Sequence, residues 1–573
     1  MISTEARLLF STAALLFAGC GASGSSSAAG DIGGFAGFKG GGGGAPSGRG
    51  GNGGASSADA GTTGPDLPPE QEIESSFQVP VATGRYVWVA NPTSGRVAYI
   101  DATTLAVQTV EAGNAPTTLA SVPGATDEVI VLNVLSHDAT VLRATAGQLT
   151  SVMVPDVAPL ANAWALSPDG HFALAWTNSR VALADPTRAK TLEGFQDVTA
   201  IDLTAAPPTA TTLAVGYRPV SITFSADDSQ AYVVTGDGVS VLGLPAAGGA
   251  VKVVRDVPLT DDPTEDPDTR DVSVTTAGRA VVRREGSADV RIVDLTTGAL
   301  GKVTLSGAVT DLDVTADGTR AIAVVRETAE VAILPLATAA DDPSTVLSEI
   351  ITGETIGSVV LTADARQAIL FSNATATERL TVVDLGTGTY HLLRVHAPVL
   401  SILATPDGQY GIVLHQAPAS SGTADNGGAG GNGGGGNGGA GGGAVPPQGP
   451  LVVANAFSVV PLDGSRAGRI QETTAPPTAV AISPASDRTL VTVRDDVAHR
   501  YGAYVVGIPA LDITTLALAS PPIATGVVAA ANRGYVAQSH PEGRITFIPF
   551  EGGAPQTLTG FDLGARVVDG VTP

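Results

Sequence analysis

From Gly84 to the end of the chain, short apolar runs alternate with turns in one repeated order. A run ends in a turn such as Ser-Pro-Asp-Gly, and a second run follows. A short loop leads to a third run, often closing on Asp-Leu, and a fourth stops at Gly or Pro. WALSPDGHFALAW, ITFSADDSQAYVVTGDGVSVLGL, LDVTADGTRAIAVV and SILATPDGQYGIVL show the unit most clearly. Asp-Gly suits tight hairpins, because glycine takes a positive φ without steric cost and Asp tolerates the turn. VAILPL and LTVVDL are apolar at successive positions, which predicts strands covered on both faces.

The first turn of each unit falls at Ala125, Asp169, Asp227, Ala277, Asp317, Asp364, Asp407, Ala485 and Asn532. Most intervals lie between 40 and 58 residues; the longest, 78, contains a glycine tract. Four strands in such a period predict a β-propeller. A parallel β-helix needs a much shorter period and an immunoglobulin array about twice this one. RYVWVAN matches a second strand with no first strand before it, and the terminal ARVVDGVTP matches a first strand and its turn. Residues 565–570 are therefore expected to pair with 85–90, closing a ring of about ten four-stranded blades through the two chain ends. Single propeller rings commonly have four to eight blades, and two smaller rings satisfy the same count.

Composition divides the chain. Of 71 glycines, 16 lie in Gly30–Gly64 and 14 in Gly422–Gly443, so the remainder is ordinary in glycine. Residues 20–75 are expected to be a disordered Gly/Ser-rich tether, since they offer too little apolar surface to offset the entropy of ordering. Residues 76–573 form the propeller, with a Gly-rich insertion at about 418–450. A net charge of −24 opposes binding to nucleic acid, whose phosphates need Lys and Arg.

Residues 1–19 read as a signal segment. Arg7 precedes an apolar run from Leu8 to Ala18, too short to cross a bilayer core as a helix. The run ends in LLFAGC, and Cys20 is the sole cysteine, so no disulfide can form within the chain. LLFAGC resembles a bacterial lipoprotein lipobox. The resemblance implies cleavage after Gly19, acylation of Cys20 and attachment to the bacterial envelope. Gly21 after the cysteine favours the outer membrane or cell surface by the same resemblance. YVWVANPTSGRVAYIDATTLAVQTVEAGNAPTTLA and GYRPVSITFSADDSQAYVV resemble the YVTN-type β-propeller repeat. That likeness implies an envelope propeller of a group whose members mostly bind or scaffold, and it carries over no catalytic residue.

Motifs for chemistry are sparse. No GxSxG, P-loop, HExxH or CxxCH occurs, and no cofactor or metal is expected. Asp311 and Asp313 are the main polar exceptions among first strands that should line a channel, and are expected to form a solvated wall. The stretch 260–271, TDDPTEDPDTRD, holds enough carboxylates for calcium but lacks a calcium loop's Gly-centred alternation. It reads as a solvated acidic loop stiffened by proline. Second-to-third loops share a face with the connections between blades. That face should carry the Ser179–Asp197, 260–271 and Pro418–Pro450 additions, together with His137, His415, His499 and His540. The expected binding residues are His499, Arg500, Asp496, His540 and His137, meeting a protein or glycan. A propeller hydrolase or oxidoreductase, lactonase-like or quinoprotein-like, is the alternative, and the sequence leaves open whether the chain is an enzyme.

Overall fold

A computed structural model describes residues 79–145, 147–178, 195–246, 249–351, 353–374, 376–415, 455–561 and 567–569. Cys20, the signal segment, the tether and most of the two large insertions lie outside these residues.

The repeat begins as a local hydrogen-bond device. In blade 8 the Thr405 hydroxyl donates to Asp407 Oδ1 at 2.6 Å, and its oxygen accepts from the Tyr410 amide at 3.0 Å. Asp407 Oδ1 also accepts from the Gln409 amide at 3.0 Å, closing the turn from both sides. Ser167–Asp169, Ser225–Asp227, Thr315–Asp317 and Thr362–Asp364 repeat the first bond. Each turn folds its first strand back onto its second, so a short-range polar pattern sets the register of a hairpin.

Ten antiparallel sheets follow, covering 81–111, 116–154, 163–214, 221–257, 270–304, 311–350, 358–394, 399–472, 477–517 and 522–559. Each is a four-stranded meander, and blade 10 carries a fifth strand. First strands meet first strands of adjacent blades, which places them innermost. Second and third strands are almost wholly buried, as in YVWVAN of blade 1 and EVIVLN of blade 2. Outer strands alternate, as in VQTVE. The apolar residues therefore collect between blades.

Ten apolar clusters fill ten spaces, each shared by two neighbouring blades. One of them joins the last blade to the first: Tyr535, Ile545, Phe547 and Leu558 pack on Val87, Val89, Ala98 and Ile100. The sheets thus form one ring of ten, not two smaller rings.

The closure differs from the sequence expectation. Blade 1 has its own first strand, Val81–Ala82, paired with Val87 and Trp88. The terminal strand Val567–Asp569 instead pairs with the outer strand of blade 10, Thr557 facing Asp569 and Thr559 facing Val567. Residues 565–570 therefore do not pair with 85–90. Side-chain packing closes the ring, with the buried Tyr535 hydroxyl 3.4 Å from the Pro80 carbonyl.

Candidate binding face

Hairpins joining second to third strands emerge on the face that also carries connections between blades. The longest is in blade 9, where Arg488–Asp495 and Arg500–Gly507 pair over eight positions. Its turn is braced. Asp495 Oδ1 accepts from the Val497 and Ala498 amides at 3.1 and 2.9 Å, and Oδ2 accepts from Arg500 at 3.1 Å. These donors hold the Asp495 carboxyl below its ordinary range, the Ala498 amide most strongly. Arg494 Nε lies 2.8 Å from Asp496 Oδ1. His499 takes φ 49°, with its Nδ1 3.4 Å from the Tyr501 hydroxyl. At the tip Val497 is 94% exposed, the highest among the large apolar side chains of the described residues. His499, Arg500 and Asp496 thus sit in one hairpin, where they order a turn that holds an apolar residue into solvent.

His137 lies in the corresponding loop of blade 2, at φ 56°. It lines an open groove of about 520 Å³ with Ser136, Met153, Asp156, Val157 and Thr212 among others. The lining is fixed by the backbone: Val157 donates to the His137 carbonyl at 3.1 Å, and Ala158 to the Thr199 hydroxyl at 2.8 Å. Leu135 and Met153, 66% and 59% exposed, supply apolar surface beside it. The groove was hidden in the sequence because residues 136–159 and Thr212 meet only when blades 2 and 3 stack.

The other histidines serve elsewhere. His540 belongs to the blade 10 hairpin, where its Nδ1 accepts from the Glu542 amide at 3.2 Å. His415 ends the second strand of blade 8 and is buried, so it is not a loop residue. Its Nδ1 is 3.1 Å from the Pro398 carbonyl and its Nε2 2.7 Å from the Ser458 hydroxyl. A carbonyl only accepts, so Nδ1 carries the hydrogen and Nε2 accepts from Ser458. Burial pushes the imidazole down to about 4. Among the described residues, no three His, Cys, Asp or Glu side chains are grouped to hold a metal ion.

The acidic connection from blade 4 to blade 5 is largely exposed, as a solvated loop is, with Glu265 the exception among its acids. Glu265, only 5% exposed at its side chain, lies 2.8 Å from Arg291, 3.6 Å from Arg270 and 3.7 Å from Arg284. Asp266 caps the short helical turn Pro267–Thr269. Glu265 thus pins the connection to blade 5, while Asp268 faces Arg218 at 3.5 Å.

Near the axis, Asp311 and Asp313 stand on the first strand of blade 6. Asp311 Oδ2 accepts from the Val359 amide of blade 7 at 2.9 Å. Arg283 of blade 5 pairs with Asp271 at 3.2 Å and donates to the Thr310 carbonyl at 3.1 Å. This chain of contacts spans three blades. Burial raises both carboxyls of blade 6, and burial with the nearby Asp311 and Asp271 charges pushes Asp313 up to about 8. The acids of this wall remain partly exposed, and Asp311 is tied to its neighbours by contacts across blades. Spacing exposed the two blade 6 acids, but not their partners Arg283 and Val359.

The chain matches no family model, and no curated protein is similar to it in sequence. Similar solved structures include a eukaryotic initiation factor, 10% identical over 78% of this chain and 96% of the other, with TM-score 0.47. Another is the dihydro-heme d1 dehydrogenase NirN in complex with DHE, 12% identical over 70% and 76%, TM-score 0.39. Apo AztD from Citrobacter koseri is 11% identical over 56% and 86%, TM-score 0.34. At such identities these likenesses assign neither ligand nor reaction; what identifies the chain is its ring of ten blades.

Proposed function

We propose that this ring is a binding module, held to the bacterial envelope by a lipid on Cys20, whose loop-bearing face meets a protein or glycan partner. The braced blade 9 hairpin carries the reading: Asp495, Arg500 and the Arg494–Asp496 pair hold Val497 into solvent. A rigid aliphatic tip ringed by charge gives a partner a preorganised contact. The groove at His137 adds a concave site on the same face. The test is affinity capture from the native envelope with V497D and with H499A/R500A/D496A. Loss of the partner with both variants supports the reading; retention with both, and loss on substituting the opposite face, refutes it. For the anchor, C20A should move the protein out of the membrane fraction.

Catalysis is the second reading, favoured by Asp313. A carboxyl held protonated near neutral pH, with the Asp311 and Asp271 charges close by, is a candidate proton donor for a hydrolase. Hydrolysis of a lactone or ester panel that disappears with Asp313→Asn in a folded protein would support it; activity unchanged by the substitution would eliminate it.

A further inference from the structure

Blade 10 shows that an outer edge of this ring takes another strand, since Val567–Asp569 lies antiparallel on Gln556–Thr559. Among the described residues the other nine blades end at their fourth strand, each presenting backbone donors and acceptors along an edge. Charge guards most of them. Outer strands of blades 1 and 4–8 carry Glu111, Arg255, Lys302, Glu349, Arg394 and Arg469 respectively, among others. Charged edges discourage strand addition.

Blade 2 is the contrasting case. Its outer strand, Gln148–Val154, is the longest outer strand and reads QLTSVMV, without a charge. It pairs with Ala139–Thr145 at seven consecutive positions with no bulge, so its free edge is straight. The uncharged edges of blades 3 and 9 are shorter, and that of blade 10 is already covered. The strand also ends at the groove beside His137, with Met153 exposed at their junction. A backbone edge and an adjoining side-chain pocket together make the usual strand-addition site, the edge supplying affinity and the pocket selectivity.

We propose that Gln148–Val154 accepts an extended, uncharged segment of a partner protein as an added antiparallel strand, with an apolar side chain of that segment seated in the groove beside Met153. The proposal deepens the binding-module reading and rests on it. Its occupant is uncharged because the strand Gln148–Val154 itself carries no charged side chain to pair with one. The antiparallel direction follows the strand already present on blade 10.

The experiment uses the full chain and the capped peptide acetyl-Leu-Thr-Val-Thr-Val-Thr-Gln-amide, with a two-proline peptide as control. Hydrogen exchange of residues 148–154 should slow at least about fivefold with the first peptide and not with the second. The exposed pair T150K/S151K should weaken peptide binding at least about tenfold while leaving unfolding midpoints unchanged. Met153→Glu should weaken it through the groove alone. Absence of protection at millimolar peptide, or equal binding by T150K/S151K, overturns the proposal. Failure here with partner capture still dependent on Val497 and His499 would leave the binding face standing. Loss of capture in the hairpin variants, with peptide protection retained, would separate the two sites.

Discussion

At the residue scale, two titratable groups make stability depend on pH in opposite senses. His415 is held neutral by burial, which brings it down to about 4 from an ordinary 6.5. Its folded value is depressed, so the native state gives up stability as pH falls from 6.5 towards 4, where the unfolded chain takes a proton first. His415→Gln should flatten that slope while costing roughly 1–3 kcal/mol at neutral pH through a changed buried hydrogen-bond pair. Urea unfolding at several pH values reads both effects. Asp313 runs the other way. Its folded value is raised from 3.8 to about 8, so the native state holds a proton the unfolded chain has lost, and stability falls as pH rises between those values. Asp313→Asn should therefore gain on the parent protein from pH 5 to pH 8; a difference constant with pH would contradict the burial argument.

At the element scale, the first hairpin turn is a repeated part whose bonds are all short-range. Thr405→Val removes a donor to Asp407 and the acceptor for Tyr410, and should cost about 1 kcal/mol by denaturant unfolding. The glycine of the turn also faces its neighbour. At Gly170, φ 74°, a Cβ would collide with the Pro123 carbonyl of blade 2, so Gly170→Ala should destabilise through backbone strain and contact with the next blade. Substitution at Asp169, Asp317 or Asp407 belongs with folding rather than recognition, since each carboxylate is engaged inside its own turn.

At the scale of the whole molecule, ring closure rests on packing between blades 1 and 10. Deleting residues 562–573 removes the added strand of blade 10 but none of the ten interblade clusters, so the unfolding midpoint should shift little. Phe561 is different: it is buried in the closing cluster, and a Cβ at Gly543 would strike its ring. Phe561→Ala should cost roughly 3 kcal/mol. Equal losses from the deletion and from a ring-opening substitution would return the closing role to the terminal strand.

Much of this was legible along the chain. Strand runs, Asp-Gly turns and the repeat period depend on neighbours within about five residues or on burial of both strand faces, and these leave direct patterns in the sequence. Membership of His499, Arg500 and Asp496 in one loop was legible for the same reason. Closure was not, because Val81–Ala82 is too short to announce a strand and is held by Val87 and Trp88. Terminal ARVVDGVTP had a first-strand pattern, yet pairing depends on which edge lies within reach, and that edge belongs to blade 10. Burial of His415, the arginines around Glu265 and the Asp311–Val359 bond are likewise decided by blades stacking on blades. The sequence determined the blade; only the tertiary structure decided the ring and its enclosed charges, because contacts across blades are selected by packing and not by the order of residues within a repeat.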